Sequence, residues 1–175
     1  MAVVPRVYLV GPMGAGKSTI GKILAATLGV AFVDSDRVIE ERTGADIPWI
    51  FDVEGEAGFR RREAAVIEDL GLTAPMVIAT GGGAVLLEEN RQSMRRTGTV
   101  VYLTASLEQL VERTAKDKKR PLLQVDNPRE KIEALILERD PLYRDAADEI
   151  VATDRKGPKA VALEIAKRIQ SADNN

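Results

Sequence analysis

The sequence predicts an α/β fold in which helices cover both faces of a parallel sheet, and three observations carry that reading. Short β-branched runs alternate along the chain with longer segments whose apolar residues recur at helical spacing. The short runs are apolar almost without interruption, as strands buried on both faces must be. A glycine-rich segment joins the first run to the first helical pattern. Crossovers between such strands are right-handed, and ligands collect at the carboxyl ends of the strands.

The elements follow in order. Strands are expected at Val7 to Val10, Ala31 to Val33, Met76 to Ala79 and Val100 to Leu103, with Ile150 to Val151 the weakest of the set. The first helix runs from Ser18 to Leu28 on Ile20, Ile23, Leu24, Thr27 and Leu28. Helical patterns return at Arg37 to Thr43, at Gly58 to Leu70, and around Leu107, Leu110 and Val111. A further helix, carrying Ile132, Leu135 and Ile136, is expected to break at Asp140-Pro141 beside Arg139. The last helix carries Val161, Leu163, Ile165 and Ile169.

Composition bounds the chemistry. A chain of 175 residues that is 45% hydrophobic and 30% charged suits one domain with a full core. No run approaches the roughly eighteen apolar residues of a membrane span, and no signal-peptide pattern opens the chain, so a cytoplasmic location is expected. A net charge of −2 gives no general attraction to nucleic acid or to an anionic membrane. The chain has neither cysteine nor histidine. Thiol nucleophiles, cysteine-ligated zinc and Ser-His-Asp hydrolysis are thereby excluded, and a general base must be sought among carboxylates and lysines.

Residues 11 to 18, Gly-Pro-Met-Gly-Ala-Gly-Lys-Ser, match G-x-x-x-x-G-K-[ST] directly after the first strand and directly before the first helix. Glycines here let successive backbone N–H groups curl around a polyphosphate, Lys17 reaches the outer phosphates, and the Ser18 hydroxyl suits Mg²⁺. A glycine turn could spell the pattern by chance, but such a turn would not need a strand before it and a helix dipole behind it.

Three further features fall at predicted strand ends. Asp34-Ser35-Asp36 follows the second strand; one aspartate can cap the next helix, which leaves the other for a metal, its waters or a substrate hydroxyl. Thr80-Gly81-Gly82-Gly83 follows the third strand, where glycines are costly in entropy unless something must approach the backbone closely. Of Arg60-Arg61-Arg62, two are expected on a solvated helix face. Lys116 to Arg120, followed by Pro121, lies between helices and reads equally as a basic lid or as an ordinary solvated loop.

Other phosphate-loop classes fit less well. A switch GTPase needs N-K-x-D, which is absent, although Asp52 to Gly55 spells D-x-x-G. A motor ATPase presents an acidic residue at a strand end, where this chain has Thr80-Gly81. Dinucleotide binding requires G-x-G-x-x-G, a different spacing.

The ordered set Gly11 to Thr19, Asp34-Ser35-Asp36, Arg42-Thr43-Gly44, Ile50-Phe51, Glu54-Gly55-Glu56, Gly58-Phe59-Arg60, Thr80 to Gly83, Arg120 to Leu123 and Pro141-Leu142-Tyr143 strongly resembles the shikimate kinase family, from about Val7 to about Ile169. The resemblance implies a P-loop fold of the nucleoside-monophosphate-kinase type: a five-stranded parallel sheet, a substrate-binding region at about 35–63 and a mobile lid at about 115–127, all in one domain spanning 1–175. It implies ATP-dependent phosphorylation of the shikimate 3-hydroxyl, a step of chorismate and aromatic amino-acid biosynthesis, by a monomer with Mg²⁺.

By the same resemblance, Arg60 and Arg139 hold the substrate carboxylate, while Gly81, Gly82, Gly83 and Asp36 orient the hydroxyls, with Asp36 as the candidate base. Lys17 and the lid residue Arg120 neutralise phosphate charge. Gly14, Ala15, Gly16, Lys17, Ser18 and Thr19 wrap the phosphates, Ser18 and Asp34 serve the metal, and adenine lies between Arg113 and Lys156-Gly157-Pro158. Another small-metabolite kinase on this scaffold, such as a gluconate kinase, is the first alternative; a non-catalytic nucleotide-binding regulatory domain is the second. The latter would be expected to lose Lys17, Asp36 or Arg120, and this chain keeps all three.

Overall fold

The computed structural model describes residues 5–115 and 127–173. Strands β1 (Val7–Val10), β2 (Ala31–Asp34), β3 (Met76–Ala79), β4 (Thr99–Thr104) and β5 (Glu149–Ala152) form one sheet in the order β2-β3-β1-β4-β5. Every pairing is parallel. The chain therefore leaves β1 for the far edge at β2, then returns to place β3 between them. That return brings the carboxyl ends of β2, β3 and β1 side by side.

Alternation along the central strand assigns the two faces. Val7 and Leu9 point into a core shared with Ile20 and Leu24 of α1 (Lys17–Leu28) and Ile165 of α7 (Pro158–Asp173). Tyr8 and Val10 point into the opposite core, with Ile39 of α2 (Ser35–Thr43), Phe59 and Ile67 of α3 (Ile47–Leu70), and Met94 of α4 (Glu88–Thr97). Among the described residues there are two more helices, α5 (Leu107–Thr114) and α6 (Pro128–Ala146). α1 lies close on its sheet face because Gly21 has no side chain: a Cβ there would come within 2.6 Å of the Phe32 ring.

The structure departs from the sequence reading in three places. α3 starts at Ile47, not Gly58, because Asp46 caps it by accepting from Trp49 N at 2.9 Å and Pro48 fits its first turn. Two helical runs join across Gly55, whose φ of 75° no other residue type would adopt readily. α4 is a helix with little apolar periodicity; Glu88 and Glu89 at its start and Arg95 and Arg96 at its end complement the helix dipole. α6 does not break at Asp140-Pro141 but runs through Pro141 to Ala146. The bond that proline removes is the one to the Leu137 carbonyl, and Leu137 is exposed to water that can replace it.

The lid expected at about 115–127 falls, but for its end residues, outside the described residues, and so does Arg120. Among the described residues no helix is long and apolar enough to cross a membrane.

Candidate active site

Three loops meet at the adjoining strand ends: the phosphate loop after β1, Asp34 to Asp36 after β2, and the glycine loop after β3. The phosphate loop turns on Gly14 (φ 85°) and Gly16 (φ 95°), both left-handed. Gly16 caps α1 without any side chain bonding to the first amides, so those N–H groups are available to an anion. Lys17 Nζ arches back over the loop and donates to the carbonyls of Gly11 (2.5 Å) and Pro12 (2.9 Å).

Asp34 proves to be the cap of α2: its Oδ1 accepts from Asp36 N at 3.0 Å. Its Oδ2 accepts from Ser18 Oγ, also at 3.0 Å. A hydroxyl and a carboxylate held this close supply the hard oxygen donors Mg²⁺ prefers, with phosphate and water to complete its shell. Among the described residues no cluster of three carboxylates could hold a metal alone. Ser18 and Asp34 thus fit a metal that arrives with a nucleotide.

Capping by Asp34 leaves the Asp36 carboxylate to the glycine loop. A Cβ on Gly81 would lie 2.6 Å from Asp36 Oδ1. One on Gly83 would overlap the Arg60 guanidinium, and one on Gly82 would lie 3.5 Å from Arg139 Nη1. Each glycine therefore sits under a different charged side chain, and the absence of side chains is what admits all three. The same Gly82 position lies 3.7 Å from Met13 N and 3.8 Å from the Gly11 carbonyl, so the glycine loop abuts the phosphate loop. Thr80 anchors the start of the glycine loop by donating both N–H (3.1 Å) and hydroxyl (2.8 Å) to the Leu9 carbonyl.

Arg60 and Arg139 are both buried, whereas Arg61 and Arg62 face solvent. Burying a guanidinium is costly unless it is paired. Arg60 donates to Glu63 Oε1 (3.0 Å) and Glu56 Oε1 (3.3 Å), its neighbours on the same helix face. Glu63 is fully buried. Burial pushes its carboxyl up to about 7, aided by the Asp36 charge and opposed by Arg60 and Arg139. Tyr143, one turn beyond Arg139 on α6, donates to the Gly82 carbonyl at 2.6 Å. Burial pushes its hydroxyl up to about 12, with the Arg139 and Arg60 charges opposing. The cleft beside Arg139 and Tyr143 has an apolar wall of Ile132 and Leu135 facing Pro12 and Met13.

On the nucleotide side, Arg113 Nη1 donates to the Gly14 carbonyl at 2.9 Å, which ties α5 to the phosphate loop. Lys156 Nζ pairs with Glu164 Oε2 at 2.9 Å, and Pro158 opens α7. The loops and strand ends thus gather Lys17, Ser18, Asp34, Asp36, Arg60, Gly81 to Gly83, Arg113 and Arg139.

The family model for shikimate kinase matches residues 13–170. The chain belongs to the shikimate kinase family. A shikimate kinase of Chromohalobacter salexigens is 58% identical over 164 residues, covering 94% of this chain and 91% of that protein. One of Vibrio campbellii is 58% identical over 170 residues, covering 97% and 99%. Among solved structures, the shikimate kinase of Acinetobacter baumannii in complex with shikimate superposes with a TM-score of 0.94 at 48% identity, covering 97% of this chain and 94% of that one. The five-stranded parallel sheet and its helices are thus the shikimate kinase fold, a P-loop fold of the nucleoside-monophosphate-kinase type.

Sequence reasoning passed over two residues that this family member places at the site. Glu63 lay in plain view as the i+3 neighbour of Arg60, a spacing that pairs side chains on a helix. Tyr143 stood in the Pro141-Leu142-Tyr143 motif without an assigned role, because its partner Gly82 is 61 positions away.

Proposed function

We propose that this protein transfers the γ-phosphoryl group of ATP to the 3-hydroxyl of shikimate, the step that carries shikimate toward chorismate and the aromatic amino acids. The observation that carries the reading is the glycine loop, whose backbone lies under Asp36, Arg139 and Arg60 and abuts the phosphate loop. An acid that also bears alcohols finds there two buried cations for its carboxylate and one carboxylate for a hydroxyl. Shikimate is such a molecule.

Arg60 and Arg139 bind the substrate carboxylate; the planar guanidinium offers paired N–H donors to it. That anchoring turns the ring so that a hydroxyl faces Asp36, and the backbone of Gly81 to Gly83 completes the cradle. Asp36 aligns the hydroxyl and accepts its proton as the new O–P bond forms and the bond from phosphorus to the ADP oxygen breaks. Phosphoryl transfer is mostly positioning and charge stabilisation, so alignment is the larger part of this role. Lys17 and the loop amides of Gly14 to Thr19 hold the phosphates, and Arg120 adds positive charge from the lid at about 115–127. Ser18 and Asp34 would hold Mg²⁺, which when bound neutralises phosphate charge. Arg113 stays by the phosphate loop to meet the nucleotide base, with Lys156 and Pro158 on its other side. Residues 35–63 form the substrate-binding region of a single-domain monomer that works in the cytoplasm without nucleic acid or membrane.

A coupled ADP-release assay with shikimate, gluconate and nucleoside monophosphates offered in parallel tests the proposal. ADP release dependent on shikimate alone is expected. Release driven by gluconate or a nucleoside monophosphate, with shikimate inert, would refute it.

A further inference from the structure

The substrate site draws on elements far apart in the chain, among them the glycine loop after β3 and α6, which carries Arg139. Something must hold the two in register. Within the glycine loop, the Gly81 carbonyl accepts from Ala84 N and the Gly83 carbonyl from Leu86 N, both at 3.1 Å, so these two peptides are fixed by the loop's own turns. The Gly82 carbonyl turns the other way and accepts from the Tyr143 hydroxyl at 2.6 Å. A peptide plane is rigid, so holding the Gly82 carbonyl also sets the direction of the Gly83 N–H. That peptide is flanked by glycines on both sides, which present almost no barrier to its rotation.

Tyr143 is well built for such a task. It is 1% exposed, so water does not compete for its hydrogen bond. Its ring stacks on Tyr102 of β4, with centroids 4.8 Å apart and planes at 30°. Tyr102 in turn donates to Asp140 Oδ1 at 2.8 Å, and Asp140 is paired with Arg144 on the same helix. The hydroxyl is thus held by the sheet as well as by α6, four residues from Arg139.

We propose that Tyr143 is a positioning residue for the acid group of the substrate: its hydroxyl fastens the Gly82–Gly83 peptide to the helix that carries Arg139, so that the guanidinium meets the carboxylate in fixed register with the loop. The inference rests on the reading that Arg60 and Arg139 bind the acid of shikimate while the glycine loop cradles its ring. It adds the device that keeps the glycine loop and Arg139 in register, and this device acts on how Arg139 meets the acid, not on the nucleotide.

Tyr143→Phe retains the ring and its stacking and removes only the hydroxyl. Calorimetry on the full chain is expected to show shikimate affinity falling about tenfold and nucleotide affinity changing less than about twofold, the scale of one lost buried hydrogen bond at one site. The decisive arm uses the primary-alcohol analogue of shikimate, with CH₂OH in place of the acid; the wild type and the variant should bind it equally. Shikimate affinity within about twofold of wild type, an equal loss for the alcohol, or an equal loss for nucleotide would each overturn the proposal. Replacement of Tyr143 by p-aminophenylalanine restores a donor in the same place and should bind shikimate as the wild type does. Should the phenylalanine variant not fold, that replacement decides alone, and a tenfold loss with a donor present, on the scale of about 1.4 kcal/mol, overturns the proposal. Failure of the underlying reading looks different: wild type would not bind shikimate, or Arg139→Ala would bind it unchanged.

Discussion

Gly83 lies directly beneath Arg60, so close that an alanine Cβ at that position would overlap the guanidinium. Arg60 has little freedom to withdraw, because Glu63 and Glu56 hold it and its side chain is buried. Gly83→Ala should therefore displace the acid-binding cation while leaving the phosphate loop intact. Shikimate affinity is expected to fall by at least about tenfold, with ADP affinity unchanged, as read by titration calorimetry with each ligand separately.

Asp36 rests against Gly81, while Asp34 caps the helix that follows. Asp36→Asn keeps the shape of the side chain but accepts no proton. ATP binding should persist while turnover falls by about 10²- to 10⁴-fold, the usual contribution of a positioned acid–base group. Steady-state kinetics beside nucleotide titration separates the two effects; near-normal turnover would remove Asp36 from the reaction.

Glu63 makes stability depend on pH in a defined window. Its carboxyl stands at about 7 in the folded protein against 4.5 when free, so between those values the folded state holds a proton that the unfolded chain releases. That contribution is complete below pH 4.5 and is lost as pH rises toward 7. Denaturant melts should show wild type losing stability relative to Glu63→Gln across this window, by up to about 1.4 kcal/mol per pH unit, with the difference level above it. Parallel curves for the two proteins would contradict the assignment.

Gly21 permits the close contact of α1 with Phe32, and an added methyl would meet the ring at 2.6 Å. Alanine gains roughly 0.5–1 kcal/mol of helix propensity over glycine, but overpacking costs about 1–3 kcal/mol. The second term prevails. Gly21→Ala should be destabilised by about 1–2 kcal/mol in chemical denaturation, with the Kd for shikimate unchanged.

What the sequence made legible was whatever local pattern encodes. β1 and the phosphate loop announce themselves through an apolar run followed by a fixed glycine spacing, and Asp34-Ser35-Asp36 falls at a strand end as expected. That two of Arg60, Arg61 and Arg62 face solvent was readable from the charge run on a helix, but only the family resemblance pointed to Arg60 as the third. α4 was hidden because charge complementarity and few apolar residues hold it, and the first half of α3 because Gly55 interrupts its periodicity. Pro141 read as a stop, yet the carbonyl it abandons belongs to an exposed residue. The bonds that shape the site escaped because they join distant segments: Tyr143 to Gly82 and Arg113 to Gly14 leave no periodic trace.

The central claim is that Arg60 belongs to an acid-binding site beside the phosphate loop and separate from it. Calorimetry of Arg60→Ala with shikimate and with ADP tests this most directly. Shikimate affinity is expected to fall by about a hundredfold, the range for removing one partner of a buried charged contact, while ADP affinity stays within about twofold. Equal losses for the two ligands, or undiminished shikimate binding, would contradict the account.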